Sequence, residues 1–437
     1  MEKTHQASRE LVLGGRLKRL RLERGLTQGD LAHPRYSHAY ISTIESGRRT
    51  PSPKALEFFA QKLRVDIDEL ATGRPKGLAT QLRLQLENAR ADLSHGQLEK
   101  ARQEALSVIK RAREFELPRV EARAHEIEAL AMEQGGELED AINMYERAIE
   151  LLRNDAPTGW AYAIAGKVRC LNAQGDPHHA VFVGEQYLEH LKRKRMASPS
   201  SVLRVRSSLL LAYFAAGSRT KARDAADECQ RLIPKVNDPS TLAATYVNVG
   251  AVQLSEGHHA DADIALAKAE ELYEALDLTN EAGIALLARG YSLARDGKLK
   301  QARRALERAS STLSGTRNIA EHANAEMELA RLDRLEGDSG RAVDRLMKSL
   351  EYVGAGKQPR LEAWAHRELG LALHERDKAA AEKHLRKALE LYELQGVQVE
   401  VARTYVLMAE LQSAGDKGRQ LEAYKLAASA IGKIPEM

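Results

Sequence analysis

The segment SHAYISTIESGRRTPSP, residues 37–53, concentrates side chains that can form hydrogen bonds or bind anions. His38, Ser42 and Thr43 each carry a group that can donate or accept a hydrogen bond. Arg48 and Arg49 come directly after Gly47 and supply two permanent positive charges. Such a combination predicts contact with a polyanion.

Positive charge is concentrated in the same part of the chain. The 437 residues carry a formal net charge of +4, and residues 1–73 hold 13 Lys and Arg against 9 Asp and Glu. The remaining residues hold 53 of each sign, so that part of the chain is neutral. A basic module joined to a neutral body indicates that the module binds a polyanion.

Five short helices are predicted in residues 14–73, and they would position these side chains. The first covers GRLKRLRLERG and ends at Gly25, a residue type that commonly follows a helix. The later helices are predicted to begin at residues that cap helix N-termini, namely Thr27, Ser37, Ser52 and Asp66. Two of these helices joined by a tight turn, with a third behind them, make a helix-turn-helix.

The strings GLTQGDLA, YISTIESGRRTPSPKALEFFAQKL and DIDELATG resemble the Xre/Cro-type helix-turn-helix of bacterial and phage repressors. The resemblance covers about 60 residues and implies a five-helix, lambda-repressor-like domain over residues 1–73 that binds double-stranded DNA. In such a motif the second helix lies in the major groove and its N-terminal half faces the base edges.

Candidate DNA-binding residues follow from that placement. Ile41 and Ile44 form the inward face of the second helix, and the opposite face is expected to read bases. The candidate base readers are His38, Ala39, Ser42 and Thr43. The candidate contacts to the phosphate backbone, which fix register without reading sequence, are Gln28, Ser37, Tyr40, Arg48, Arg49 and Thr50.

The rest of the chain repeats with a period of about 40 residues. A turn glycine followed five residues later by alanine recurs at Gly96, Gly136, Gly175, Gly217, Gly257, Gly297 and Gly337. Degenerate copies follow at Arg376 and Gly415. Helical periodicity flanks every copy, which predicts a solenoid of about nine helical hairpins. A second small residue seven positions after most of the alanines would let the paired helices approach closely.

These units resemble tetratricopeptide repeats, and residues 246–273 are the best copy. The resemblance implies an all-α chain whose right-handed α-solenoid covers residues 80–434, after a linker at 74–79. A helix-turn-helix ahead of such repeats is similar to the peptide-sensing (RNPP-type) quorum regulators of bacteria. That likeness implies a homodimer whose repeats bind a peptide, another small effector or a protein partner.

First helices of the hairpins are expected to line a concave groove. The inner-facing positions include Arg90, Arg123, Tyr162, Ser208 and Glu328, and the candidate effector-binding residues are Arg169, Arg204, Asn248, Tyr291, Asn324, Arg331 and Arg367. Asn248 resembles the residue that holds a ligand's backbone amide in peptide-binding repeats, because its side chain offers both a donor and an acceptor. The arginines would suit a carboxylate.

No catalytic set is predicted, and neither a cofactor nor a metal is expected. VGAGKQ, residues 353–358, lacks the upstream glycine and the Ser or Thr of a phosphate loop and is interpreted as a loop between helices. HEIE, residues 125–128, lacks the second histidine of a zinc protease helix. The paired histidines 178–179 and 258–259 are interpreted as exposed turn residues, and Cys170 and Cys229 as core thiols.

The remaining sequence features favour a cytoplasmic protein. Two cysteines provide no disulfide framework. No apolar run approaches the roughly 20 residues of a membrane span, and the N-terminus lacks a signal-peptide pattern.

Three functions remain open on the sequence. The first is a ligand-responsive transcription regulator. The second is an interaction adaptor with a vestigial helix-turn-helix, which Gly29 and the short turn HPRY would favour. The third is a regulator whose DNA binding is controlled by a protein partner.

Overall fold

A computed structural model describes residues 2–153, 155, 157–316, 318–354, 358–411 and 417–432, with the side chains of 2–12 and 157 outside the description. Every regular element in these residues is a helix, which confirms the predicted all-α class. Contacts divide the chain into two compact units, Met1–Asn88 with Gln103–His125, and Ala89–Arg102 with Glu126–Met437.

The first unit begins with five helices. They are α1 (Glu2–Glu23), α2 (Gln28–Ala32), α3 (His38–Glu45), α4 (Pro53–Leu63) and α5 (Ile67–Thr72). Each predicted N-cap is confirmed, because the side chains of Thr27, Ser37, Ser52 and Asp66 accept hydrogen bonds from the first turns of α2 to α5. The predicted start of the first helix was wrong, since α1 begins at Glu2 and runs through Gly14 and Gly15.

A compact core holds these five helices together. Its fully buried members come from all five of them and include Leu17, Leu31, Ile41, Ile44, Phe59, Leu63 and Leu70. The segment that follows α5 is also anchored within the first unit. The Arg74 guanidinium donates to the carbonyl oxygens of Phe115 and Glu116, at 2.6 and 2.7 Å.

Eighteen helices, α6 to α23, follow as nine successive pairs in the described residues. They are α6 (Leu78–Ser94), α7 (Leu98–Glu114), α8 (Pro118–Gly135), α9 (Leu138–Leu151), α10 (Ala161–Ala173), α11 (Pro177–Arg193), α12 (Pro199–Ala215), α13 (Arg219–Leu232), α14 (Pro239–Ser255), α15 (His259–Ala275), α16 (Thr279–Arg295), α17 (Leu299–Ser314), α18 (Ile319–Leu335), α19 (Ser339–Val353), α20 (Pro359–Leu373), α21 (Lys378–Leu394), α22 (Gln398–Leu411) and α23 (Lys417–Ile431). Short 3-10 turns occupy Pro157–Trp160 and Ile233–Lys235.

The repeated glycines occupy the turn inside each of the first seven pairs. Their φ angles lie between 70° and 90°, a left-handed conformation that favours glycine. Arg376 sits in the eighth turn without a positive φ. The ninth predicted copy, at Gly415, lies outside the described residues, as do residues 355–357 of the VGAGKQ segment.

Small side chains let the helices of a pair pack closely. The predicted alanines Ala101, Ala141, Ala180, Ala222, Ala262, Ala302, Ala342 and Ala381 are at most 2% exposed. The opposing first helices contribute glycines that the sequence analysis did not single out. A Cβ added to Gly250, Gly290 or Gly370 would lie 2.5–2.9 Å from a leucine of the second helix, so these helices could not approach as closely with a larger residue.

Candidate nucleic-acid interface and effector cavity

Helix α3 is seated on α1 by a backbone contact and a buried ion pair. A Cβ on Gly14 would lie 2.2 Å from the Ile44 carbonyl oxygen, so only glycine permits this approach. Nearby, Arg21 and Glu45 form a two-point ion pair. Arg21 also donates to the Leu26 carbonyl oxygen at 2.8 Å, which ties the loop before α2 to the same point.

The predicted base-reading face of α3 is accessible. Ile41 and Ile44 are buried in the core, while His38 and Ala39 on the other side are exposed and Ser42 and Thr43 are half-buried. The Thr43 hydroxyl donates to the Tyr40 carbonyl oxygen at 2.8 Å. Thr43 therefore presents its methyl group and hydroxyl lone pairs rather than a free O–H.

Cationic and aromatic side chains flank the C-terminal end of α3. Arg48, Arg49 and Thr50 are exposed in the segment after the helix. The Arg49 guanidinium lies over the Tyr40 ring, 4.9 Å from its centroid, and Tyr40 stacks on Tyr36 at 5.1 Å. Tyr40 thus packs against the domain and also supports Arg49.

Two of the predicted backbone contacts have structural roles within the domain. Ser37 caps α3, because its hydroxyl oxygen accepts the Tyr40 N–H at 3.2 Å. The Gln28 side-chain amide donates to Glu45 at 2.8 Å, which joins the start of α2 to the Arg21–Glu45 pair. The second amide hydrogen of Gln28 and the hydroxyl hydrogen of Ser37 remain available to donate to a phosphate.

Within the second unit, a cavity of about 250 Å³ lies along the first helices of the hairpins. Its lining residues come chiefly from α6, α8, α10, α12, α14 and α16, which are the helices predicted to face the groove. They are Arg90, Leu130, Tyr162, Ala165, Arg169, Arg204, Ser207, Ser208, Ser240, Thr241, Ala244, Val247, Asn248, Tyr273, Leu278 and Glu281. Three predicted effector residues, Arg169, Arg204 and Asn248, are therefore brought together.

Carboxylates already neutralise two of the three cavity arginines. Arg169 makes a two-point contact with Glu133 at 2.7 and 2.8 Å. Burial lowers the pKa of Arg169, but the Glu133 charge raises it overall, so the guanidinium stays protonated. Arg204 donates to Asp238 at 2.6 Å and lies over the Tyr162 ring at 5.0 Å.

The Asn248 amide is engaged by the neighbouring hairpin. Its Nδ2 donates to the carbonyl oxygen and the hydroxyl of Ser207, at 3.1 and 3.0 Å. Both bonds are donated by the amide nitrogen, and they join α14 to α12. The Asn248 carbonyl oxygen can meet a ligand without breaking them.

Four further predicted residues lie along later hairpins. Tyr291 and Arg367 line a second cavity of about 650 Å³ between α16, α20 and α22, where Arg367 is paired with Glu400. Asn324 and Arg331 line neither cavity. Each donates to a glutamate one turn away on α18, Glu321 or Glu328, at 3.3 Å.

Several cavity residues were not found by sequence reasoning. Arg90 was recognised as inner-facing, but its partner Ser240 lies 150 residues away. Tyr273 and Glu281 belong to a second helix and a helix start, which the positional rule for first helices does not cover. These residues reach the cavity through tertiary contacts, which the repeat pattern in the sequence does not reveal.

Other sequence predictions concern chemistry. Cys170 and Cys229 are fully buried, which confirms them as core thiols, and burial raises the pKa of each to about 12. Among the described residues, no three His, Cys, Asp or Glu side chains are grouped so that they could hold a metal ion. No helix in the described ranges combines the length and apolar character that a membrane crossing requires.

Comparison with known proteins gives two kinds of similarity. Residues 12–72 match the family described as a helix-turn-helix domain. An uncharacterized HTH-type transcriptional regulator, y4dJ of Sinorhizobium fredii (strain NBRC 101917 / NGR234), is 45% identical over 62 residues, which are 14% of this chain and 80% of that protein.

Solved structures resemble most of the chain at low identity. The apo form of RapI has a TM-score of 0.55 at 12% identity, over 81% of this chain and 98% of that one. The apo quorum sensor NprR from B. thuringiensis has 0.53 at 14%, over 81% and 99%. A Rap protein complexed with competence and sporulation factor has 0.54 at 13%, over 81% and 96%. At these identities the likeness shows the fold alone.

Proposed function

Because the chain belongs to the helix-turn-helix transcriptional regulators, we propose that it binds a specific DNA sequence under the control of its helical repeats. Residues 1–73 would bind DNA, 74–79 would connect, and 80–434 would sense the effector and mediate dimerisation. The observation that carries the proposal is the accessible face of α3, fixed from behind by Arg21 and Glu45 and flanked by Arg48 and Arg49.

In this proposal α3 enters the major groove. His38 and Ser42 hydrogen-bond base edges, Ala39 and the Thr43 methyl group contact thymine methyl groups, and Arg48 and Arg49 neutralise flanking phosphates. Such phosphate contacts supply much of the affinity and make it fall as salt rises. Tyr40 holds Arg49 in place and reduces the entropy lost when the guanidinium meets a phosphate.

The helical repeats act as the sensor. A peptide or other small effector, or a protein partner, would bind along the first helices, where Arg169, Arg204 and Asn248 meet in one cavity. A quorum sensor and a Rap protein solved with competence and sporulation factor share the fold, which supports a signalling role. Effector binding would favour one arrangement of the hairpins over another.

The protein would act in the cytoplasm as a homodimer on a palindromic operator. One small reading domain offers few base contacts, so two domains are needed for discrimination. Their half-sites would lie about 34 Å apart, or a multiple of that distance.

Selection from fragmented genomic DNA with the full-length protein tests the proposal. We expect enrichment of a palindromic sequence with a Kd on the order of 10⁻⁸ M. Failure to enrich any sequence would reject specific DNA binding. Recovery of a stoichiometric protein partner, together with full cellular function of an Arg48→Ala/Arg49→Ala variant, would favour the adaptor instead.

A further inference from the structure

Among the described residues, some of the charged side chains that line the first cavity form ion pairs within the protein, and others do not. Arg169 and Arg204 are paired with Glu133 and Asp238, so they carry little spare capacity for an anion. The remaining charged side chains in the lining are Arg90 and Glu281. They are the groups to which a charged ligand would bind.

Arg90 faces a neutral partner. Its Nη2 donates to the Ser240 hydroxyl at 2.6 Å, and its guanidinium lies 5.8 Å from the centroid of the Tyr162 ring. No carboxylate lies within ion-pair distance of Arg90 among the described residues. A half-buried guanidinium of this kind gains more from a ligand carboxylate than from a hydroxyl, because the hydrogen bonds become charge-assisted.

Glu281 has the complementary arrangement. Its carboxylate accepts the hydroxyl hydrogen of Ser94 at 3.1 Å, and no lysine or arginine in the described part of the chain pairs with it. Ser94 is fully buried, so this contact fixes the carboxylate at the cavity wall. A ligand ammonium group would form with this carboxylate the direct ion pair that the described residues do not form.

Both groups meet the same face of α6, one as Arg90 itself and the other, Glu281, through its contact with Ser94. Arg90 and Ser94 are four residues apart, which places them on one face, roughly 6 Å from each other. A fully extended dipeptide spans about 7 Å. The Arg90 guanidinium and the Glu281 carboxylate both border this small cavity, so one very small zwitterion could reach both of them.

The volume of the cavity also limits the ligand to a very small molecule. Its volume of about 250 Å³ exceeds the roughly 150 Å³ that holds benzene and falls below the 300–1,000 Å³ typical of drug-sized sites. Leu130, Val247 and Leu278 provide apolar walls for a side chain. A longer peptide could place only one end here.

We propose that this cavity binds a free amino acid or dipeptide, with the ligand carboxylate on Arg90 and its ammonium group on Glu281. This inference rests on the proposed function in that it names the effector class of the same sensor. The ligand would replace Ser240 at Arg90 and bind Glu281 beside Ser94. These are the contacts that join α6 to α14 and α16, so binding would alter how these helices are held.

Calorimetry on the full-length protein tests the site. The probes are the twenty L-amino acids and the dipeptides X-Ala and Ala-X, followed by the N-acetyl and C-amide forms of the tightest binder. We expect at least one probe to bind, and each blocked form to bind at least tenfold more weakly. Absence of binding by every probe, or equal binding of the blocked forms, would overturn the proposal without any mutation.

Two variants assign the ends of the ligand. Arg90→Gln should abolish the preference for the free carboxylate over the amide, and Glu281→Gln should abolish the preference for the free amine over the acetylated form. Arg386→Gln, whose arginine pairs with Glu382 on the exposed side of α21 and does not line the cavity, is the matched control and should bind normally. Unchanged preferences in both cavity variants would contradict the assignment, and ligand-free melting temperatures verify folding.

The two proposals can fail separately. A chain that enriches an operator but binds no probe would reject the zwitterion site and leave the regulator intact. A chain that binds a probe with the expected preferences but enriches no DNA would reject the proposed function and leave the site intact.

Discussion

The guanidinium of Arg21 grips the carboxylate of Glu45 at two points, with Nε–Oε1 at 2.6 Å and Nη2–Oε2 at 3.0 Å. The side chains are only 8% and 4% exposed. Hydrogen bonding to Glu45 raises the pKa of Arg21, so the pair is charged at any ordinary pH. Because Glu45 is the last residue of α3, this contact fixes the orientation of the helix that we propose enters the major groove.

Removal of the arginine should therefore be costly. Arg21→Met leaves Glu45 buried without its counter-charge, and we expect the first domain to lose about 3–5 kcal/mol of stability. Hydrogen exchange of the α3 amides measures the loss. Arg19→Met removes an exposed arginine 3.7 Å from Glu23 and should change stability by less than about 1 kcal/mol. Equal effects of the two substitutions would show that the buried pair is not essential.

Two adjacent glycines in α1 should respond in opposite ways to alanine. A Cβ at Gly14 would collide with the backbone of α3, so Gly14→Ala should displace that helix and weaken DNA binding. Gly15 has no atom within 4 Å of the added Cβ, so Gly15→Ala should stabilise α1 by up to about 1 kcal/mol. Melting temperature and operator affinity are the measurements. A Gly14→Ala variant with normal affinity would contradict the seating of α3 described above.

The arginines after α3 should govern the salt dependence of DNA binding. Arg48→Ala should lower affinity for all sequences alike and reduce the slope of log K against log salt by about 1. Arg386→Ala, at an exposed ion pair on α21, is the control and should leave the slope unchanged. His38→Ala should instead relax preference at particular base pairs with little change in slope. A loss of sequence preference in Arg48→Ala would show that Arg48 reads bases.

A histidine pair between α20 and α21 should make stability depend on pH. The Nδ1 atoms of His366 and His384 lie 2.8 Å apart. Burial, and then the neighbouring His384, lowers the pKa of His366 to about 4, and burial lowers that of His384. Glu362 opposes the shift at His366, whereas Lys387 adds to it, and Lys383 lowers the pKa of His384.

Since the folded-state pKa values lie below the ordinary histidine value, stability is fully present above about pH 6.5 and decreases as pH falls towards 4. Allowing for solvent screening of these partly exposed groups, the loss is on the order of 1 kcal/mol. Melting temperatures at pH 7.5 and 5 measure it. His366→Gln should flatten the dependence, whereas His178→Gln, at an exposed position in the first turn of α11, should not. Identical pH profiles of the His366→Gln variant and the wild type would refute the linkage.

Local structure was predictable where a helix end or a turn strongly favours one type of residue. Helix starts could be predicted from residues whose side chains cap amide groups nearby in sequence, namely Thr27, Ser37, Ser52 and Asp66. The turn glycines announce hairpins because left-handed φ excludes most other residues. Because the pattern recurs about every 40 residues, the prediction of one hairpin could be extended to the whole repeat region.

Contacts between distant segments were not predictable in the same way. In the sequence, Gly14 is only a residue that disfavours a helix, whereas the structure shows that it allows the backbone of α3 to approach α1. Gln28 resembles a phosphate contact, yet its amide also serves Glu45. Asn248 is predicted to bind a ligand, but its amide nitrogen donates to Ser207 of the preceding hairpin. In each case the deciding partner lies on another helix, and the atoms that meet are determined by tertiary packing.

The turn glycines have a practical use in measurement. At Gly136, Gly175, Gly257, Gly297 and Gly337 nothing lies within 4 Å of the position a side chain would take. A short tag or dye-bearing insertion placed after such a glycine, with the glycine retained, would extend into solvent. The repeat thus provides five labelling positions, one in each of five hairpin turns, from which energy-transfer distances could follow the hairpins while an effector or an operator is added.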